Sequence, residues 1–271
     1  MAGSGSFFQP DSGVKRLKTS LKGLIRNWVL AFVAPRPLVG LLYLPRYFKS
    51  WQAFSRMASG DKLRLRDSHP CLTDWTFYTA VDPHYFYQSG WLARKLVEKL
   101  PVRHFDIGSS VMMIGAISAV HNTVFIDYRP PRTPIEGVQV VCGNITGLPL
   151  GSSSVASLSC LHVIEHIGLG RYGDPIDPAG SLEAAAELRR VLRPDGRLYV
   201  SMPIGRERIC FNAHRVFSPA SVLAMFEGLR LTEFSYVDDR GKFRTKADWR
   251  QAAGCEYGCG LFEFVKSPDD K

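Results

Sequence analysis

From about residue 84 onward, the chain alternates between stretches with helical spacing of apolar residues and short apolar runs. The helical spacing predicts helices at 85–100, 111–120, 181–192 and 219–226. The apolar runs predict strands that begin at 104 and lie at 123–127, 138–141, 155–161, 197–201, 229–237 and 260–265. This alternation is typical of an α/β fold, in which helices cover both faces of a mostly parallel sheet.

Polar and glycine residues follow the first two predicted strands. Asp106 and Gly108 lie at the end of the first strand, and Asp127 ends the second strand 21 residues after Asp106. Ligands of open α/β sheets bind beyond the carboxyl ends of the strands, where glycine lets the backbone approach closely. An acid about 20 residues further on can accept both hydroxyls of a ribose. The first loop lacks G-x-G-x-x-G, so the pattern favours a nucleoside without a pyrophosphate over NAD or FAD.

The net charge of +9 is concentrated at the N-terminus, because residues 1–60 hold nine basic residues and one acidic residue. The rest of the chain is nearly neutral, with 25 basic and 24 acidic residues. An enzyme that acts on nucleic acid is expected to spread basic charge over its catalytic domain, so we expect no nucleic-acid partner. The 45% hydrophobic content is that of a globular protein and excludes disorder of the whole chain.

Composition divides the chain into a loose tail at 1–13, a basic and apolar extension at 14–69, and a main domain at 70–271. Prolines in the extension argue against one clean amphipathic helix. Two interpretations stay open: residues 15–50 contact a membrane surface, or the extension packs as a lid or dimer contact. No apolar stretch is long enough for a spanning helix, and the sequence around Ala34 is a poor signal cleavage site.

Six cysteines form neither a disulfide framework nor paired CxxC elements. Cys255 and Cys259 make one CxxxC pair without a second pair nearby, so we expect no metal site. A reducing, cytoplasmic location is the simplest interpretation, with a peripheral membrane position if residues 15–50 bind lipid.

The order of several motifs resembles that of class I S-adenosylmethionine-dependent methyltransferases. The matching runs are Asp106-Ile-Gly-Ser-Ser, Asp127, 143–150, His162-Val-Ile-Glu-His166 and 187–198. More narrowly, 162–175 and 211–217 resemble the methyltransferase-like family catalogued as domain of unknown function 268 (DUF268). The likeness covers roughly 70–265. It implies a Rossmann-like, mostly parallel seven-stranded sheet and S-adenosylmethionine as the cofactor.

The resemblance also implies a set of cofactor contacts. Asp106 and the backbone of Gly108 and Ser109 would face the methionine end, and Asp127 would hold the ribose. Asn144 and Ile145 would flank the adenine, and His162 would lend its backbone to the cofactor. Asn144 stands where many relatives have Asp, but an amide can both donate and accept hydrogen bonds.

Candidate catalytic groups lie after the fourth and fifth strands. An alcohol acceptor needs its proton removed, for which a neutral imidazole or a carboxylate is suited, so we expect Glu165, His166 and His214 to be catalytic. The expected substrate ligands are Arg171, Tyr172, Asp174 and Arg215. The alternatives are that Glu165 and His166 orient their loop, that Asp174 forms a turn, that His214 makes a structural hydrogen bond and that the arginines are solvated.

We therefore expect methylation of a small-molecule or glycan acceptor, most plausibly at a sugar hydroxyl. A non-catalytic domain of the same fold that docks on a partner or membrane is the alternative. His162-x-x-Glu165-His166 also spells the motif of inverted zinc peptidases, but the glycines that follow argue against the helix that this chemistry needs. The sequence does not predict the oligomeric state.

Overall fold

A computed structural model describes residues 37–57 and 63–268, which divide between Ala80 and Val81 into two compact units. This boundary lies further along the chain than the one predicted after residue 69. The predicted tail at 1–13 and most of the basic part of the extension lie outside the described residues. Among those that are described, no helix is both long and apolar enough to cross a membrane.

The first unit contains one long helix, α1 (Pro37–Met57), and a short 3₁₀ turn at Leu65–Asp67. The helix continues through Pro45, so the expectation that prolines break this segment was wrong at that position. Proline has a helical φ, so the helix can tolerate its missing N–H and the crowding of its ring against the preceding turn, although both cost stability. Arg46 donates from Nη2 to the carbonyl oxygen of Leu72 at 3.1 Å, which ties the helix to the segment after the turn.

The second unit is a twisted sheet with helices on both faces. Its helices are α2 (Pro83–Lys99), α3 (Val111–Ser118), α4 (Gly180–Val191) and α5 (Pro219–Met225). Its strands are β1 (His104–Ile107), β2 (Thr123–Asp127), β3 (Val138–Cys142), β4 (Val155–Leu161), β5 (Leu192–Ile204), β6 (Arg208–Cys210), β7 (His214–Val216), β8 (Leu229–Val237), β9 (Phe243–Arg244) and β10 (Gly258–Lys266).

The main sheet has the strand order β3-β2-β1-β4-β5-β10-β8-β9. Strands β1 to β5 pair in parallel, and β10 is antiparallel to both β5 and β8. The predicted α/β class with a mostly parallel sheet is confirmed. The sheet has eight strands rather than seven because the two-residue β9 adds to one edge, and β6 and β7 form a separate ribbon.

Burial explains why the sequence pattern located these elements. Strands β2 and β4 are almost wholly buried, so each appears in the sequence as a continuous apolar run. Two apolar clusters pack on opposite faces of the sheet. One includes the buried sides of α2 and α3, around Leu92 and Ile114, and the other includes those of α4 and α5, around Leu188 and Val222.

A buried ion cluster joins α2 to the antiparallel part of the sheet. Lys95 Nζ lies 2.7 Å from Glu233 Oε2 and 2.8 Å from Glu263 Oε2, and Glu263 also pairs with Arg197 at 2.5 Å. Burial would lower the pKa of Lys95, but its hydrogen bonds to the two carboxylates raise it above the ordinary value. Lys95 thus compensates the charge of Glu233 and shares the compensation of Glu263 with Arg197.

We expect Lys95→Met to lower the free energy of unfolding by about 3–5 kcal/mol, because Glu233 loses its cation and Glu263 loses one of its cations. Lys99→Met on the same helix is the control, since Lys99 pairs only with the exposed Glu98 and should cost less than about 1 kcal/mol. Urea-induced unfolding measures both variants. Equal losses in the two would contradict a stabilising role for the cluster.

Candidate active site

A cavity of about 440 Å³ opens at the carboxyl ends of β1, β2 and β4. The chain runs from β1 outward to β3 on one side, and β4 then returns to the other side of β1. This reversal separates the loops after β1 and β4 and leaves a crevice between them, which is where ligands of such sheets bind. Its lining includes Ile107, Gly108, Ile126, Asp127, Tyr128, Arg129, Asn144, Ile145, His162, Val163, His166, Tyr172 and Asp174.

Gly108 and Asp127 face each other at the tips of β1 and β2. Gly108 has a φ of +65°, and a Cβ there would lie 3.3 Å from Val163 Cγ1 and 3.8 Å from Asp127 Oδ2. Asp127 accepts a hydrogen bond from the Arg129 backbone N–H at 2.6 Å through Oδ1. The loop therefore needs glycine for its conformation, and glycine keeps the backbone open beside the carboxylate.

Asp106 lies behind the wall of the cavity rather than on its surface. Its carboxylate is fully buried and accepts hydrogen bonds from the N–H of Ser109 at 3.0 Å, from Ser109 Oγ at 2.8 Å and from Ser159 Oγ. Burial raises the pKa of Asp106 to about 6, although these hydrogen bonds oppose the rise. The expectation that Asp106 and Ser109 face the cofactor is corrected, because their polar groups join β1 to β4 instead.

Asn144 and Ile145 line the opposite part of the same cavity. Asn144 Oδ1 accepts a hydrogen bond from the Thr146 N–H at 3.1 Å, and Ile145 is buried. An amide next to an apolar wall suits the edge and the face of a planar heterocycle.

The segment after β4 forms a tight turn rather than an α-helix. His162 has a φ of +54°, and Ile164–His166 is a single 3₁₀ turn. The zinc-peptidase interpretation of His162 and His166 therefore lacks the helix that it needs. Glu165 in this turn is fully buried, and its Oε1 accepts from His162 Nδ1 at 2.8 Å. Its Oε2 has no hydrogen-bond partner among the residues that the structure describes.

The imidazole of His166 is oriented by the backbone across the cleft. Nδ1 lies 2.6 Å from the carbonyl oxygen of Ala213, and a carbonyl can only accept, so Nδ1 carries the proton. In the neutral ring Nε2 would then carry the lone pair, and it lies 3.8 Å from Glu165 Oε1. This arrangement of carbonyl, imidazole and carboxylate suits a proton acceptor whose charged form has a nearby counter-ion.

A second cavity of about 380 Å³ adjoins the first, and the two share His162, His166 and Tyr172. Its remaining lining residues are Asp82, Pro83, His84, Tyr85, Glu165, Arg171, Pro203, His214 and Tyr257. Burial lowers the pKa of His84 and of His214. Burial would also lower the pKa of His162, but Cys259 and Glu165 raise it well above the ordinary value. The structure thus brings Glu165, His166 and His214, the three residues predicted to be catalytic, to one cavity.

The predicted substrate ligands separate into two groups. Arg171 and Tyr172 line the second cavity. Asp174 lines the first cavity instead, and its carboxylate accepts hydrogen bonds from the N–H groups of Gly168 and Tyr172 at 2.9 and 3.1 Å. Burial would raise the pKa of Asp174, but these backbone hydrogen bonds lower it, so the side chain holds its own loop in place.

Arg215 is not placed to bind a substrate. It is buried, and its Nη1 donates to the Ile167 carbonyl oxygen at 2.6 Å, with the Asp177 carbonyl oxygen 3.5 Å from Nη2. The prediction of an anion contact was wrong for this residue, because its guanidinium holds the loop after β4 against β7.

Sequence reasoning did not identify the groups that reach the second cavity from distant parts of the chain. His84 and Tyr85 lie in the first turn of α2, where Asp82 accepts from the His84 N–H at 2.9 Å and Pro83 begins the helix. The rings of Tyr85 and His162 stack at 5.1 Å. The cap Asp82-Pro83 predicts a helix start, but no local signal links that start to a loop about 80 residues away.

The residues of the first cavity fit a nucleoside. The carboxylate of Asp127 offers acceptors for two hydroxyls, Gly108 leaves room beside it, and Ile126 and Ile145 supply apolar surface. Residues 96–200 match the methyltransferase domain, and residues 152–251 match the model described as Caenorhabditis protein of unknown function, DUF268. No curated protein matches the sequence.

Two solved structures serve as examples of similar folds. One is the N-methyltransferase NodS from Bradyrhizobium japonicum in complex with S-adenosyl-L-homocysteine. The superposition covers 80% of this chain and 98% of NodS, with 13% sequence identity and a TM-score of 0.48. The other is YcgJ from Bacillus subtilis, for which the superposition covers 67% of this chain and 99% of YcgJ, with 16% identity and a TM-score of 0.46. These values are too low to carry an argument about function. The two family models show that the chain contains a methyltransferase domain that overlaps a DUF268 segment, and S-adenosylmethionine is the cofactor of this domain.

Proposed function

We propose that the protein methylates a hydroxyl group of a sugar or of another small polar acceptor, which binds in the second cavity. The observation that carries the proposal is the pairing of His166 with Glu165 where the two cavities meet. An alcohol is a poor nucleophile until its proton is removed, whereas a thiol ionises readily near neutral pH. A positioned base beside the acceptor cavity is therefore what hydroxyl methylation requires.

Cofactor binding is assigned to the first cavity. Asp127 would hold the ribose hydroxyls, Gly108 would let the β1 loop approach, and Asn144 and Ile145 would flank the adenine. Bound S-adenosylmethionine supplies an activated methyl group. The contribution of the protein is to hold the acceptor oxygen near that group, a positioning task worth several kcal/mol.

The proposed base is His166. Its Nε2 accepts the hydroxyl proton, Ala213 keeps Nδ1 protonated and the ring in place, and Glu165 Oε1 at 3.8 Å stabilises the resulting imidazolium. General bases of this kind contribute about 10²- to 10⁴-fold to the rate. His214 lines the same cavity but carries no such pair of orienting contacts, so we assign it to substrate binding.

The polar lining of the second cavity supports a hydroxyl-rich acceptor. Arg171, Tyr172 and His214 offer donors, and Glu165 Oε2 offers a buried acceptor without a partner. Rings of Tyr85 and Tyr257 on the same cavity provide flat apolar surface against which a pyranose can lie. A buried unpaired carboxylate oxygen is costly, and a substrate hydroxyl would satisfy it.

We expect Gly108→Ala to weaken the binding of S-adenosylhomocysteine by about tenfold or more, which is at least about 1.4 kcal/mol. The added methyl group enters the space between Val163 and Asp127. Gly228→Ala is the matched control, since Gly228 also has a positive φ, of +89°, but a Cβ there meets nothing within 4 Å. Calorimetry measures both affinities, and equal binding by the two variants would contradict the assignment of the first cavity.

We expect the full chain with tritiated S-adenosylmethionine to label monosaccharides or uronates as alkali-stable ethers in a panel that also contains amines, thiols and carboxylic acids. His166→Gln should lower kcat by about 10²- to 10³-fold and change the affinity for S-adenosylhomocysteine far less, because the amide keeps a polar side chain at this part of the cavity wall but cannot accept the proton. His214→Gln should change KM more than kcat. Label that enters only amines, thiols or alkali-labile esters would contradict hydroxyl methylation, and a kcat unaffected by His166→Gln would contradict the base.

A further inference from the structure

Three metal-ligating side chains converge on one wall of the second cavity. His84, His162 and Cys259 each offer one ligand atom, and these atoms all lie within 4.8 Å of one another. They come from the start of α2, the end of β4 and the start of β10, so three separate elements meet at this point. Neither the CxxxC spacing nor the H-x-x-E-H motif contains this set.

We propose that His84, His162 and Cys259 bind a zinc ion. Zinc takes imidazole nitrogen at about 2.0–2.1 Å and thiolate sulfur at about 2.3 Å, so tetrahedral ligands of these types lie about 3.3–3.6 Å apart. His162 Nε2 lies 3.3 Å from Cys259 Sγ, close to this separation. The separations to His84 are at most 4.8 Å, so this residue, which lies in the first turn of its helix, would have to move toward the other two ligands when the ion binds.

The surroundings of the cluster match those of a bound cation. Glu165 accepts from His162 Nδ1 at 2.8 Å, which orients the ring with Nε2 toward Cys259 Sγ. A metal ion would replace the proton that these two atoms share. A carboxylate behind a ligating histidine is the usual second contact of zinc sites. The Cys259 thiolate and the Glu165 carboxylate together would balance the two charges of the ion. The ion would in turn compensate the charge of the Glu165 carboxylate, which is fully buried.

Three protein ligands are the number found in catalytic zinc sites, where the fourth position takes water or substrate. His84 and His162 line the second cavity, so that position is available to an acceptor oxygen. Binding of zinc does not depend on the reaction, whereas a role for the ion in holding the acceptor rests on the proposed function. Zinc would there lower the pKa of a bound hydroxyl.

Cobalt substitution tests the site. The full chain, freed of metal with a chelator, should bind one Co²⁺ ion with the sulfur-to-cobalt charge-transfer band of thiolate ligation and the visible bands of tetrahedral Co²⁺, and Zn²⁺ should displace it. Cys259→Ser should abolish the charge-transfer band and His84→Ala should weaken Co²⁺ binding. Glu165→Gln should weaken Co²⁺ binding about 10- to 100-fold while the band persists. Far-ultraviolet circular dichroism checks that each variant is folded.

Cys255→Ser is the matched control, because Cys255 is also buried, lies close in sequence and is outside the cluster. Absence of Co²⁺ and Zn²⁺ binding, or a charge-transfer band that Cys255→Ser abolishes and Cys259→Ser does not, would overturn the proposal. Methyl transfer measured with and without zinc separates the two claims. If zinc binds but does not change the rate of methyl transfer, the metal site stands and its role in catalysis is rejected. If the zinc-loaded protein methylates no hydroxyl, only the proposed function is rejected.

Discussion

The buried carboxylate of Asp106 is the contact on which the cofactor cavity depends. It accepts hydrogen bonds from Ser109 in the loop after β1 and from Ser159 in β4, and Ser109 Oγ in turn accepts from the Leu161 N–H. These bonds fix the turn that carries Gly108 and join the two strands between which the sheet order reverses. Asp127 can face Gly108 because the hydrogen bonds to Asp106 hold this turn in place.

Polar contacts between side chains and backbone also shape the second cavity. Asp174 and Arg215 satisfy backbone groups of the loop after β4, so this glycine-rich segment holds one conformation without regular structure. Glu165 lies under the loop and faces both His162 and His166. This buried carboxylate orients His162 and lies near His166, whose ring the Ala213 carbonyl holds, so a proton acceptor and a metal ligand can lie side by side.

The sequence predicted most of the sheet because its parallel strands are buried on both faces and appear as apolar runs. It missed β9, which is two residues long and has no pattern of its own, and it excluded a helix through Pro45 that one missing N–H does not prevent. Local motifs located Asp127, Glu165 and His166. They could not locate His84 or Cys259, which only the tertiary fold brings to His162, and they could not tell that Arg215 donates to backbone carbonyls.

The central claim is that the crevice between β1 and β4 holds the cofactor with its ribose on Asp127 and its reacting end toward His162 and His166. A crystal structure of the full chain with S-adenosylhomocysteine tests it most directly. We expect both ribose hydroxyls within hydrogen-bond distance of the Asp127 carboxylate and the sulfur at the junction of the two cavities. A nucleoside bound elsewhere, or a sulfur pointing away from His166, would contradict it.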